Sequence, residues 1–191
     1  SYWNSMSNIL PIIQKRRAYR SLQPIKITED IIETLSKAAQ LSPSCFNNQP
    51  WHFIFTYEKN TLAPLFQALS SGNEWAQHAS MIITVCAKKE DDCQIYDREY
   101  YLFDLGLASA FLILQATDLD LVAHPIAGYS PKKVRQILCI PDDYMVITLI
   151  VIGKHEKING NYLSEKQVKA EKTRPLRKPL ESFIHHNTFE A

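Results

Sequence analysis

Pro43-Ser44-Cys45-Phe46-Asn47-Asn48-Gln49-Pro50-Trp51 is the stretch on which the reading of this chain turns. A proline disfavours helix in the residue before it, so Pro43 and Pro50 make the segment an ordered crossing from a helix into a strand. Its serine, asparagine and glutamine groups are short, and the amides both donate and accept, which suits the rim of a planar heterocycle. Upstream, Arg16-Arg17-Ala18-Tyr19-Arg20 gathers three arginines within five residues. A planar guanidinium meets two oxygens of a phosphate at once, which an ammonium cannot do. Each feature alone has an ordinary alternative: an arginine cluster is commonly a solvated face or helix end, and a Pro-Ser…Gln-Pro stretch a turn closed by Asx-type bonds.

Outward from the loop, local patterns fix most elements. Thr28 can cap a helix that carries Glu29 and Asp30 in its first turn and Ile31, Ile32, Leu35, Ala38 and Ala39 on one stripe; Ser42-Pro43 should stop it. Residues 51–57, aromatic and β-branched, read as a strand, followed by a short helix over 62–70. Residues 81–87 and 146–152 are unbroken apolar runs of strand length, as expected of strands buried on both faces. A long helix is predicted over 98–117, and Ser130 as N-cap with Pro131 at the first helical position opens a shorter one. The apolar stretch 102–123 is interrupted by Asp104, Gln115, Asp118 and Asp120, which favours a buried helix over a membrane span. Helices and strands that interleave around a small sheet predict an α+β sandwich of three layers. Asp104, on an apolar helix, should have a partner, because an unpaired buried carboxylate is costly.

A chain of 191 residues with 46% hydrophobic content is read as one domain, 1–191. A net charge of +1 and a pI near 7.7 give no reason to expect nucleic acid or an anionic membrane as partner. Cys45, Cys86, Cys93 and Cys139 form no C-x-x-C pair, so reduced thiols in a cytoplasmic protein are expected. Cys45 has no recognisable histidine partner that would make it a nucleophile. Ser1-Tyr2-Trp3-Asn4 shows no secretory signal. Residues 154–178 hold eight Lys/Arg against three Asp/Glu and begin a basic C-terminal extension, 154–191. His185-His186 lacks metal-ligand spacing, and no metal is expected. The chain has no G-x-G-x-x-G, Walker loop, H-E-x-x-H or G-x-S-x-G.

Five motifs in chain order, Arg16-Arg17-x-x-Arg20, Pro43-Ser44-x-x-Asn47-x-Gln49-Pro50-Trp51, Asp104-Leu105-Gly106-Leu107-Ala108, Pro125-Ile126-Ala127-Gly128-Tyr129 and Arg177-Lys178-Pro179-Leu180, resemble the FMN-dependent nitroreductase family. The resemblance spans about residues 16–180. It implies a mainly antiparallel central sheet flanked by helices, and a homodimer whose terminal extensions are exchanged so that the flavin lies at the interface. By the same resemblance Arg16 and Arg17 lie near the FMN phosphate and ribityl chain, with Arg177 and its neighbour Lys178 reaching the phosphate from the tail. Arg20 lies by the pyrimidine edge, where a cation stabilises the negative charge of reduced flavin. Pro43, Ser44, Cys45 and Asn47 match the loop that contacts flavin from the partner subunit, while Gln49 and Trp51 lock that loop to the next strand. Pro125, Ile126, Ala127 and Gly128 match a turn that offers a backbone N–H, at Ala127, to flavin N5. Many members carry an acid at the position of Ala127 and a serine at that of Ala18. The absent hydroxyl at Ala18 costs about 0.5–1.5 kcal/mol of cofactor binding.

The activity so implied is ping-pong hydride transfer from NAD(P)H, a transient co-substrate, through FMN to nitroaromatics, quinones or similar electron-poor acceptors. Two alternatives stay open: a flavoenzyme of the same fold with a different reaction (dehalogenase, flavin-fragmenting or azoline oxidase type), and an FMN-binding protein without turnover.

Overall fold

The computed structural model describes residues 8–158 and 160–190. The N-terminal reading at Ser1-Tyr2-Trp3-Asn4 lies outside them. Along the chain run α1 (Pro11–Lys15), β1 (Leu22–Gln23), α2 (Glu29–Gln40), β2 (His52–Thr56), α3 (Lys59–Phe66), β3 (Met81–Ala87), a hairpin of β4 (Gln94–Ile95) and β5 (Arg98–Glu99), α4 (Tyr100–Asp118), β6 (Val122–Ile126), α5 (Pro131–Leu138), β7 (Met145–His155) and α6 (Glu165–Lys172).

The caps act as their chemistry requires. Thr28 accepts from the Ile31 N–H at 3.2 Å and Ser130 from the Lys133 N–H at 3.3 Å, each satisfying a donor that the first helical turn leaves free. Strand β7 organises the main sheet: it pairs antiparallel with β3 over Met81–Ala87, with β6 over Val122–Ile126, and at its end with β1, while β2 pairs with β3.

Period-two alternation then divides the core. Met81, Ile83 and Val85 of β3, Ala123 of β6 and Ile150 and Ile152 of β7 face Leu35 and Ala39 of α2 and Leu105, Ala108 and Leu112 of α4. Ile82, Cys86, Val122, Ile126, Leu149 and Val151 face Leu62 and Leu65 of α3, Trp75 and Val134 of α5. The result is the expected α+β sandwich of three layers around an antiparallel sheet. Helix α4 is long and apolar enough by composition to cross a membrane, yet it is wedged between α2 and the sheet, with Asp104 buried on it.

Several boundaries move. The apolar stretch 102–123 is not one helix: α4 ends at Asp118, Asp120 turns the chain at φ 61°, and Val122–Ile126 is a strand. Pro125 therefore sits inside β6, opposite Ile150. It is tolerated because a proline lacks only the N–H and its neighbours hold the ladder. The short helix predicted over 62–70 begins earlier and stops at Phe66, just past its internal Pro64. Strand β7 runs to His155, so residues 154 and 155 belong to the sheet, and the extension starts after them.

Ile83 is fully buried between β3, α2 and α4. Ile83→Ala should lower the unfolding free energy by about 2–5 kcal/mol, measured by urea denaturation with unchanged slope; a loss under 1 kcal/mol would contradict this packing.

Candidate functional site

Where α1 ends, Arg16 takes an extended backbone (φ −55°, ψ 128°) and leads residues 17–21 along the sheet to β1. That strip is held from the far end of the sequence. Glu171, in the last turn of α6, has a side chain only 4% exposed, and its Oε1 accepts from the backbone N–H of Arg20 and, at 2.9 Å, of Ser21. Its Oε2 lies 3.4 Å from His155 Nε2, and the His155 ring stacks on Tyr19 at 3.6 Å. Arg17 donates to the Ala170 carbonyl at 3.0 Å, with its guanidinium 4.7 Å above the Tyr19 ring. Tyr162 Oη accepts from Leu22 N–H at 3.0 Å and lies within 3.3 Å of the Leu22 carbonyl.

An extension expected to bury little on its own protomer thus packs its first part against it. Charged as it is, it brings one carboxylate to two backbone donors and so satisfies them. The segment beyond remains outside: Leu176 is 99% and Phe189 82% exposed.

This docking closes a cavity of about 160 Å³ lined by Arg16, Arg17, Ala18, Arg20, His124, Ala170, Arg174, Pro175 and Arg177. No carboxylate is among the lining groups. Burial, then the charges of Arg174, Arg177 and Arg17, pull the pKa of Arg16 down, so the arginines repel one another and an anion would relieve them. Burial also holds His124 neutral, with its pKa lowered to about 4, and its Nδ1 lies 3.1 Å from the Tyr19 carbonyl. Arg20 extends toward Trp75, 5.8 Å from its ring. Chemically, the cavity can take a compact dianion.

The structure therefore gathers Arg16, Arg17, Ala18, Arg20 and Arg177, adds Arg174, His124 and Glu171, and leaves Lys178 exposed and outside the lining. Arg174 was visible in the sequence only as one of the charges of the basic extension. Glu171 had no signal of its own.

The loop at residues 43–49 forms a second cluster and lines no part of that cavity. Ser44 Oγ accepts from Gln49 N–H at 3.0 Å, and Gln49 Nε2 donates to the Asn47 carbonyl at 3.0 Å. Phe46, Asn47 and Gln49 all have positive φ, at 49°, 54° and 49°, an uncommon conformation for residues with a side chain. Asp104 has the partner it needed: Oδ2 accepts from Cys45 N–H at 3.0 Å, and its carboxyl faces Asp92. Burial and the neighbouring Asp92 push Asp104 up from 3.8 to about 6.

The expectation of reduced thiols fails at this cluster. Cys45 and Cys93 are disulfide-bonded, with Cα atoms 6.1 Å apart, while Cys86 is buried and free and Cys139 exposed and free. Asn48 Nδ2, which donates to Asp92 Oδ1 at 3.2 Å, pins the loop beside Cys93. The pairing spans 48 residues and has no local spacing to announce it. Cys45, Asp92 and Cys93 are also the one group of metal-type donors among the described residues, but the sulfurs are bonded to each other. His185 is engaged otherwise, accepting from Glu190 N–H at 3.0 Å.

At the end of β6, Ile126 is buried and Ala127 exposed, and Gly128 leads out against Asn73 and Ser70. A Cβ at Gly128 would meet Asn73 Nδ2 at 2.7 Å. The expected turn over 125–128 is thus two residues of strand followed by a two-residue exit, Ala127 exposed and Gly128 half-buried.

The chain matches the model of the Nitroreductase family over residues 13–80 and 57–154. It is 30% identical over 158 residues, 80% of this chain and 89% of the relative, to a protein of Archaeoglobus fulgidus whose name reads NADH dehydrogenase/NAD(P)H nitroreductase, a provisional assignment for that protein. Among solved structures, one described as the oxidoreductase containing FMN superposes with a TM-score of 0.82 at 24% identity, covering 95% of this chain and 93% of its own. A nitroreductase family protein of Clostridium difficile 630 gives a TM-score of 0.76 at 24% identity, covering 95% and 99%. At such identities the two structures speak for the fold alone.

The raised pKa of Asp104 has a sign that can be tested. Between pH 3.8 and about 6 the folded protein binds this proton more tightly than the unfolded chain, so this group's contribution to stability falls as pH rises through that window. Asp104→Asn keeps an acceptor for Cys45 N–H and cannot ionise. Its stability relative to the unchanged protein should therefore grow from pH 4 to pH 6 and level off above, in urea unfolding at fixed ionic strength; a difference independent of pH would refute the assignment.

Proposed function

This chain belongs to the nitroreductase family, and with that premise we propose that it is an FMN-dependent oxidoreductase. In this reading it takes hydride from NAD(P)H and passes electrons to nitroaromatic, quinone or similar electron-poor acceptors in alternating half-reactions. The observation that carries the reading is the cavity of five arginines, Arg16, Arg17, Arg20, Arg174 and Arg177, without a carboxylate. A phosphate monoester brings about −1.5 to −2 charges, which answers the repulsion that depresses Arg16.

The residues present fit FMN in kind. Arg16, Arg17, Arg174 and Arg177 would hold its phosphate, with Lys178 at the exposed edge. Ala18 lines the same cavity without offering a hydroxyl. Arg20, whose backbone Glu171 fixes, would set a positive charge beside the ring. When bound, FMN supplies the two-electron carrier that accepts hydride and returns it. The protein's part is to orient and to shield. Pro43, Ser44, Cys45 and Asn47 would come from a second copy of the chain, and Pro125, Ile126, Ala127 and Gly128 would offer backbone at the ring, with Ala127 leaving room above it for donor and acceptor in turn.

A homodimer is part of the proposal, supported by the exposed apolar side chains of the tail, Leu176, Leu180 and Phe189, which their own protomer leaves uncovered. We read the chain as one domain, 1–191, and the cytoplasm as its compartment. Names of similar proteins support the reading without fixing the acceptor or the choice between NADH and NADPH: NAD(P)H nitroreductase for the archaeal relative, FMN for the solved oxidoreductase.

The purified protein should be yellow or take up one FMN per chain, and should oxidise NAD(P)H with menadione or nitrofurazone. Arg16→Ala should weaken FMN binding by about 10- to 100-fold, the worth of one charge-assisted contact, read by flavin fluorescence. A colourless protein that neither binds added FMN nor turns over NAD(P)H would refute the proposal.

A further inference from the structure

The Cys45–Cys93 bridge takes no part in the hydride chemistry proposed above, and two carboxyl groups stand beside it. It lies outside both core clusters and joins two surface segments, the loop at 43–49 and the turn at 89–93. Both cysteines are half-buried, and Cys93 leads directly into residues 94–98, all exposed.

A carboxyl pair stands behind the bond. A carboxylate oxygen of Asp92 lies within 4.8 Å of both sulfur atoms. Asp92 Oδ1 accepts from Cys93 N–H at 2.8 Å and from Asn48 Nδ2 at 3.2 Å. Asp92 Oδ2 is buried beyond reach of any N–H or hydroxyl donor among the described residues, and the group able to bond it is the Asp104 carboxyl, when that carboxyl carries a proton. Asp104 in turn holds Cys45 N–H. Below about pH 6 the carboxyl pair thus holds a proton beside the two sulfurs, and among the described residues no cation is bonded to the pair.

We propose that Cys45–Cys93 is a thiol–disulfide exchange site for dithiol reductants, with the Asp92/Asp104 pair as proton donor, and that opening it releases the loop at 43–49. A thiolate of the dithiol attacks Cys93 Sγ; the Cys45–Cys93 bond breaks, a mixed disulfide forms on Cys93, and Cys45 Sγ leaves as a thiolate that takes the proton from the carboxyl pair. The reductant's second thiol, as its thiolate, then displaces Cys93 Sγ, which is protonated from solvent. In sum the dithiol is oxidised to a disulfide, and the bridge gains two electrons and two protons to become two thiols.

What this releases is specific. Phe46, Asn47 and Gln49 occupy left-handed backbone regions that persist only when their surroundings over-determine them. The bridge is the covalent part of those surroundings. In a reducing compartment such bonds are mostly transient and redox-sensing, which reconciles the bridge with the cytoplasm proposed above. A consequence for the cofactor rests on the FMN reading: if Ser44 and Asn47 meet the flavin, opening the bridge should raise the FMN Kd by about tenfold, the worth of one hydrogen bond.

The test uses the full chain in native buffer. In protein purified in air, N-ethylmaleimide should label Cys139 and leave Cys45 and Cys93 unlabelled in peptide mass maps. After dithiothreitol, both should label. Chymotryptic cleavage after Phe46, which is 87% exposed, should accelerate about tenfold or more, since cleavage tracks the open population. A Cys45→Ser/Cys93→Ser double variant should be cut rapidly with or without reductant. At pH 5.5, where Asp104 carries its proton, Asp104→Asn should slow reduction about tenfold or more while Cys139 labelling keeps its rate, and the difference should vanish by pH 8.

Labelling of Cys45 or Cys93 before reduction, reduction that occurs only in denaturant, or a cleavage rate unchanged by reduction would each overturn the proposal. An unchanged reduction rate in Asp104→Asn at pH 5.5 overturns the proton-donor assignment. Protein that exchanges as described but binds no FMN sinks the cofactor reading and leaves this one standing.

Discussion

The pairing of β7 on two sides is the constraint from which the rest of the structure hangs. Its residues 149–152 are fully buried, and every other strand of the main sheet except β2 hydrogen-bonds to it directly. A strand so placed must be apolar on both faces, and 146–152 is. Its register carries the site as well. Pairing with β6 sets His124 under the strip at 16–21 and brings Ala127 out at the strand's end; pairing with β1 fixes the strip itself. Its last residue, His155, stacks on Tyr19 and faces Glu171, while the sheet itself enters the wall of the arginine cavity at His124 of β6.

Two patches of unbalanced charge stand on this frame, of opposite sign. At one, arginines from residues 16–20 and from the extension crowd a cavity without a carboxylate, and Arg16 is the most burdened. At the other, Asp92 and Asp104 share a buried corner with no cation among the described residues bonded to them, and burial with Asp92 raises the Asp104 pKa to about 6. Like charges held together out of water are costly, and a fold tolerates them where they are used. The first suits an anion from outside; the second keeps a proton beside a sulfur–sulfur bond.

Much of this was legible in the residues. Thr28 and Ser130 cap helices because a side-chain oxygen next to a helix start has one obvious use, and 81–87 and 146–152 are strands because short runs rich in apolar and β-branched residues suit a strand buried on two faces. Five ordered motifs pointed to the family that the comparison found. The misreadings have physical causes. Residues 102–123 are mostly apolar, and apolarity by itself does not distinguish the buried face of a helix that ends at Asp118 from the strand that starts at Val122. Residues 154–178 are charged enough to read as tail, yet one carboxylate, Glu171, meets two backbone donors and docks the first part of it.

The sequence by itself determined the principal helices and strands, the caps at Thr28 and Ser130, the layered class of the fold and the arginine cluster at 16–20, because each rests on chemistry within a few positions of the chain. Only the tertiary structure decided that Cys45 bonds Cys93, that Asp104 answers to Asp92 and Cys45, and that Arg174 and Glu171 join the arginines at 16–20. Cys45 and Cys93 are 48 residues apart, and Arg20 and Glu171 are 151. Such pairings are set by how the sheet stacks its layers and brings its loops together, and they leave no periodicity or spacing in the chain to be read.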